Sequence, residues 1–125
     1  MEKMEAYNIL IQALRLVASS PDVQIASLPE FVIVPDEIAL TYDYAYRLVE
    51  GLVRDNLISR DAFVMLKELD ELFGRMSNNR SLWTLERLHN DSSWGKTREL
   101  ALKIMKELGE SYGRPDLSFI SWTQQ

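Results

Sequence analysis

Apolar residues recur at three- and four-residue steps along nearly the whole chain, and only one stretch interrupts that rhythm. The interruption is Leu28–Asp43, LPEFVIVPDEIALTYD, which carries two prolines and the consecutive apolar residues Phe31 to Val34. Three- and four-residue recurrence places side chains on one face of an α-helix, so the chain is constrained to pack helices against each other. The expected fold is mainly α, a single-domain bundle of about four to five helices. A short extended or β segment is expected between the first two long helices. At 125 residues the chain has room for one hydrophobic core and needs no disulfide or structural metal to close it.

The individual helices follow from periodicity and caps. Helix one is expected from Glu2 to Ala18, with Ala6, Leu10, Ala13, Leu14 and Val17 on one face. Pro21 stops it, because proline disfavours helical geometry in the residue before it. Asp22 to Ala26 allows one short helical turn. Phe31–Val34, rich in β-branched residues and closed by Pro35, reads as a short buried strand. Three arrangements are open for it: a hairpin with Glu37–Leu40, pairing with the tail Leu117–Trp122, or an unpaired extended segment.

Helix two is expected from Thr41 to about Asp55, with Asn56 in the left-handed position beyond its end. Ser59 caps helix three, Arg60 to Met76. Thr84 caps a short helix through His89, with Leu85 and Leu88 inward, and Asp91 or Ser92 caps the last long helix, which Gly109 ends. Residues 110–125 form a tail that the pattern leaves loose.

Charge is unevenly distributed. Residues 1–74 carry 13 acids against 6 bases, and residues 75–125 carry 8 bases against 6 acids, within a formal net charge of −5. An acidic half disfavours direct nucleic-acid binding, which needs clustered Lys and Arg. It favours a basic protein partner, because complementary fields speed encounter. No apolar run exceeds the five residues Ala62–Leu66, so no membrane span is expected. The amino-terminal stretch ends in small residues as signal peptides do, but Glu2, Glu5, Asn8, Gln12 and Arg15 spoil its charge and apolar core. A cytoplasmic location follows, consistent with the lack of cysteine.

The search for catalytic chemistry finds little. His89 is the only histidine, which excludes HExxH and paired-histidine metal sites, and its place late in a short helix reads as solvated or capping. No nucleophile elbow, phosphate-cradling glycine loop or dinucleotide fingerprint occurs. Asp36 and Glu37, with Glu30 and Asp43 nearby, have oxygen ligands for a divalent cation, but their spacing matches no calcium loop. They read as surface acids, as do Glu68, Asp70 and Glu71. No cofactor is expected.

Binding is the better-supported role. Tyr42 and Tyr46, four residues apart, face the core, whereas Tyr44 projects outward beside acids, as interface tyrosines do. Trp83 and Trp94 read as core. The expected partner surface is Glu30, Asp36, Glu37, Asp43 and Tyr44, extended by Arg47 and Glu50.

The segments LPEFVIVPDEIAL, SLWT at 81–84 and W-x-x-x-R-x-L-A at 94–101 together resemble a group of small helical bacterial proteins. Some similar chains are immunity proteins beside secreted toxins in polymorphic-toxin and contact-dependent growth inhibition systems. The similarity spans Leu28 to Gly109 and brings no site residues with it. What it implies is stoichiometric neutralisation of a cognate toxin domain, many such toxins being basic nucleases. Two other readings stand beside it: a non-catalytic helical adaptor, and a small metal-dependent enzyme.

Overall fold

Local capping chemistry sets most of the helix ends. A computed structural model describes residues 1–122, and among these 69% helix and no strand are found. The helices are α1 (Lys3–Ala18), α2 (Pro21–Ser27), α3 (Val34–Tyr46), α4 (Val49–Arg54), α5 (Arg60–Met76), α6 (Leu85–Asn90) and α7 (Ser92–Glu107), with a 3-10 turn at Arg80–Leu82. Side-chain oxygens of Ser59, Thr84 and Asp91 accept from the backbone N–H groups of Ala62, Arg87 and Ser93, satisfying donors that a helix start leaves free. Asn56 (φ 61°) and Gly109 (φ 74°) take the left-handed conformation that turns the chain after α4 and α7.

The interrupting stretch is not a strand. α3 begins at Val34, seven residues before the expected Thr41 start, and Thr41 is buried within it. Pro35 lies in the first turn, where its missing N–H costs nothing and its fixed φ suits a helix. Asp36 and Glu37 follow at the positive end of the helix dipole. Phe31–Ile33 is therefore a loop ending in the cap, and Val34 is already helical: Phe31 and Ile33 are exposed and only Val34 is buried. The expected helix two is also divided. α3 closes at Tyr46, Leu48 N–H bonds to the Ala45 carbonyl in a tightened turn, and α4 restarts at Val49.

The four long helices form a closed ring of neighbours, α1 against α3, α3 against α5, α5 against α7 and α7 against α1. Between them runs a ladder of rings. Tyr46 stacks on Tyr42 at 5.9 Å, Tyr42 meets Phe73 at 5.6 Å, and Phe73 meets Trp94 at 6.1 Å. Trp83 packs edge-on to Trp94 at 5.2 Å. Three polar tips in this ladder have backbone partners: Tyr42 Oη donates to the Leu66 carbonyl, Trp94 Nε1 to Leu82 and Trp83 Nε1 to Met76.

Helix α1 is enclosed more completely than its one-faced pattern suggests, since Ile9, Ile11, Gln12 and Leu16 are buried as well. The segment from residue 110 covers its second face. Tyr7 Oη donates to Glu110, Arg15 donates to the Ser111 carbonyl, and Gln12 Oε1 accepts from the Asp116 N–H. Leu117 is buried against the core. The part of the expected loose tail up to Trp122 is thus tied to α1, and residues 123–125 lie outside the described residues.

These placements predict a graded mutational response, read from urea midpoints. Trp94→Ala should cost about 3–5 kcal/mol through lost packing, and Tyr42→Phe about 1 kcal/mol through one lost buried hydrogen bond. Leu40→Ala should stay within about 0.5 kcal/mol because that side chain faces solvent. A Leu40→Ala loss as large as that of Trp94→Ala would contradict the placement of α3.

Candidate interaction face

The outward side of α3 is where charge and exposed apolar surface meet. Counting from its cap, Ile33, Glu37, Leu40 and Tyr44 recur at steps of four, three and four, so they share one stripe. Ile33, Leu40 and Tyr44 are 63%, 58% and 47% exposed, an unusual exposure for large apolar side chains in succession. The opposite wall is the carboxyl-terminal segment, where Phe119 stacks on Tyr44 at 6.4 Å between ring centres and 13° between planes. Between helix and segment lie two adjoining hollows of about 510 and 380 Å³, both bordered by Glu37, Leu40, Ile120 and Ser121.

The carboxylates of this face are held in different ways. Glu37 is half-buried, has no cation within salt-bridge distance among the described residues, and is raised above its ordinary value by desolvation and then by neighbouring Asp36. Asp36 has Arg80 at 3.7 Å, and that guanidinium also lies over the Trp83 ring at 5.7 Å. The other Asp36 oxygen is buried with no hydrogen-bond partner. Asp43 pairs with Arg47 one turn along α3 at 2.8 Å. That pair is exposed and contributes little to stability.

A second group of acids joins from α5, where the sequence alone predicts only surface acids. Asp70 is raised by desolvation, then by Asp43 and Glu71. Tyr46 is raised by desolvation, then by Asp70, Glu71 and Glu50. Asp70, Glu71 and Glu50 therefore place Tyr46 in a shared negative field, and Asp43 adds to the field at Asp70. The residues Asp43 and Asp70 are 27 apart in sequence, and only the packing of α3 on α5 brings them together. No local pattern announces that.

Of the seven expected residues, Asp36, Glu37 and Tyr44 line the stripe or its hollows, and Asp43 and Arg47 sit on its flank. Glu30 lies exposed in the loop before α3, bordering a separate hollow with Trp83 and Leu85. Glu50 lies beyond the turn that ends α3, in a cleft with Arg47 and Arg54. Sequence reasoning missed Leu40, Phe119 and Ile120, whose exposure depends on where the carboxyl-terminal segment lies. Leu85, expected inward, is 50% exposed.

Among the described residues no three acidic or histidine side chains converge as metal ligands. His89 is exposed, its Nδ1 donating to the Leu85 carbonyl at 2.8 Å and its Nε2 3.3 Å from Asp22, which bridges α6 to α2. No described helix is long and apolar enough to cross a membrane. Scans against protein-family models, curated proteins and solved structures find no match.

The raised carboxylates give a pH prediction. Between its ordinary value and its raised folded value, Asp70 binds more protons folded than unfolded, so stability falls as pH rises through that window. The same sign holds for Glu37 above its ordinary value of 4.5. Asp70→Asn should therefore raise the melting temperature at pH 7, with the advantage over the parent shrinking as pH falls into the carboxylate range. A variant that melts lower than the parent at pH 7 would contradict this crowding.

Proposed function

We propose that this chain acts by stoichiometric binding of a basic protein, as an immunity protein that neutralises a cognate toxin domain. The observation that carries the reading is the coincidence, on one side of α3, of exposed apolar residues with crowded carboxylates. Apolar contact supplies affinity at the centre of an interface, and carboxylates around it speed encounter and reject acidic partners. The α5 acids Asp70 and Glu71 enlarge the negative field beyond the α3 residues alone. The negative field opposes phosphate-bearing ligands, so the toxin protein itself is the partner and its nucleic-acid substrate is not. The resemblance over Leu28–Gly109 points the same way.

Such a protein needs no reacting group of its own. Occupying a basic nuclease with carboxylates either fills the phosphate site or blocks access from beside it, and both mechanisms make protection depend on charge.

The test is protection of growing cells. Co-produced with the toxin domain encoded beside it, the chain should restore growth, and the triple variant Asp36→Lys, Glu37→Lys, Asp43→Lys should abolish rescue while keeping the helical circular dichroism spectrum. Complex formation with the parent chain should slow steeply as salt rises. The absence of any neighbouring toxin gene overturns the immunity reading. Undiminished rescue by a folded triple variant overturns this face as the binding surface.

A further inference from the structure

An exposed stripe stepping by four, three and four residues has the geometry by which one helix receives another. Ile33, Glu37, Leu40 and Tyr44 cover eleven residue steps, roughly 16 Å at ~1.5 Å per residue, or about three helical turns. The stripe is one wall of a groove whose other wall is Phe119 to Trp122, so an occupant meets apolar surface on two sides. No strand is present among the described residues, so an extended peptide finds no sheet edge to extend. A helix satisfies its own backbone groups and needs only side-chain contacts, which is what this groove offers.

Charge then selects the kind of helix. Glu37 lies in the middle of the stripe without a cation among the described residues, Asp36 borders it with one carboxylate oxygen unpartnered, and Asp43 flanks it. A second copy of this chain seated symmetrically on the face would bring the Asp36, Glu37 and Asp43 carboxylates of both copies into one interface, and like charges brought together repel. An acidic or phosphate-bearing ligand meets the same repulsion. A cationic side chain projecting toward Glu37 removes it.

We infer that the groove between α3 and the carboxyl-terminal segment receives a basic amphipathic helix of the partner protein, with apolar residues at three- and four-residue spacing and a Lys or Arg opposite Glu37. The inference rests on the protein-binding reading above and names the element of the partner that docks. Leu40 and Tyr44 supply the apolar contact, and the Tyr44–Phe119 stack keeps the two walls in register.

A synthetic 18-residue helix serves as the probe, with leucines at three- and four-residue spacing bordered by Lys and Arg; its acidic counterpart and a scrambled basic sequence are the controls. Binding to the full chain is read by fluorescence anisotropy and mapped by backbone amide NMR. The basic helix should saturate the protein below about 1 mM, shift resonances of α3 and residues 117–122, and weaken as salt is raised. Glu37→Lys and, separately, Leu40→Glu should each weaken it about tenfold or more, equivalent to ~1.4 kcal/mol, whereas Lys103→Glu on exposed α7 should leave it unchanged. Leu40 is exposed and Glu37 half-buried, and a cooperative thermal melt with the parent's helical circular dichroism verifies folding of each variant.

Equal binding of the acidic or scrambled peptide, shifts confined to other helices, or no saturation below 1 mM overturns the inference. So does a dimer of the free chain that Leu40→Glu dissociates, which assigns the face to a second copy. The two levels separate in the cell assay: rescue lost in the triple charge variant but kept by Leu40→Glu retains the acidic face and rejects the groove. Rescue kept by both rejects both.

Discussion

Enclosure of α1 is the constraint on which the rest depends. A helix with apolar residues on more than one side cannot remain at the surface of a bundle, because each large aliphatic side chain left in water forfeits roughly 1.5–3 kcal/mol of burial. Neighbours α3 and α7 cover one part of α1, and the carboxyl-terminal segment covers the remainder. The hydrogen bonds of Tyr7, Gln12 and Arg15 then satisfy polar groups that this covering would otherwise strand. Burial, and after it the Glu110 carboxylate, push the Tyr7 phenol up to about 12, which keeps it a donor across ordinary pH.

That covering also creates the groove. Once Leu117 is anchored in the core, Phe119 and Ile120 are carried toward α3, and Tyr44 has a ring to stack on. The long-range contact that completes the core thus forms one wall of the candidate face. Two features read separately in the sequence, an amphipathic first helix and a loose tail, are physically the same event. Each accounts for the other.

Much of the architecture was legible because it is decided within a few residues. Ser59, Thr84 and Asp91 each cap the helix they precede, and α5 runs over Arg60–Met76 as its period implied. Phe31–Val34 misled because four apolar residues are too few for periodicity to separate strand from helix entry, and Pro35 stops one helix or starts another with equal ease. At the candidate site, Asp36, Glu37 and Tyr44 were legible as acids and an outward aromatic. The contribution of Asp70 and Glu71, and the exposure of Leu40 beside Ile120, were not, because each depends on contacts between residues far apart in the chain.

The aromatic ladder has an optical consequence. Two indoles at 5.2 Å and a steep mutual angle interact strongly in the near ultraviolet, and Tyr42 and Phe73 extend that fixed array through the bundle's centre. Such a rigid cluster gives a near-ultraviolet dichroic band that vanishes when side-chain packing is lost, even where helical content survives. Trp122 borders the groove and is not one of the stacked rings, so its contribution to the emission responds to a different environment. One molecule thereby carries intrinsic chromophores of two kinds, a rigid set in the interior and a lone indole at the surface.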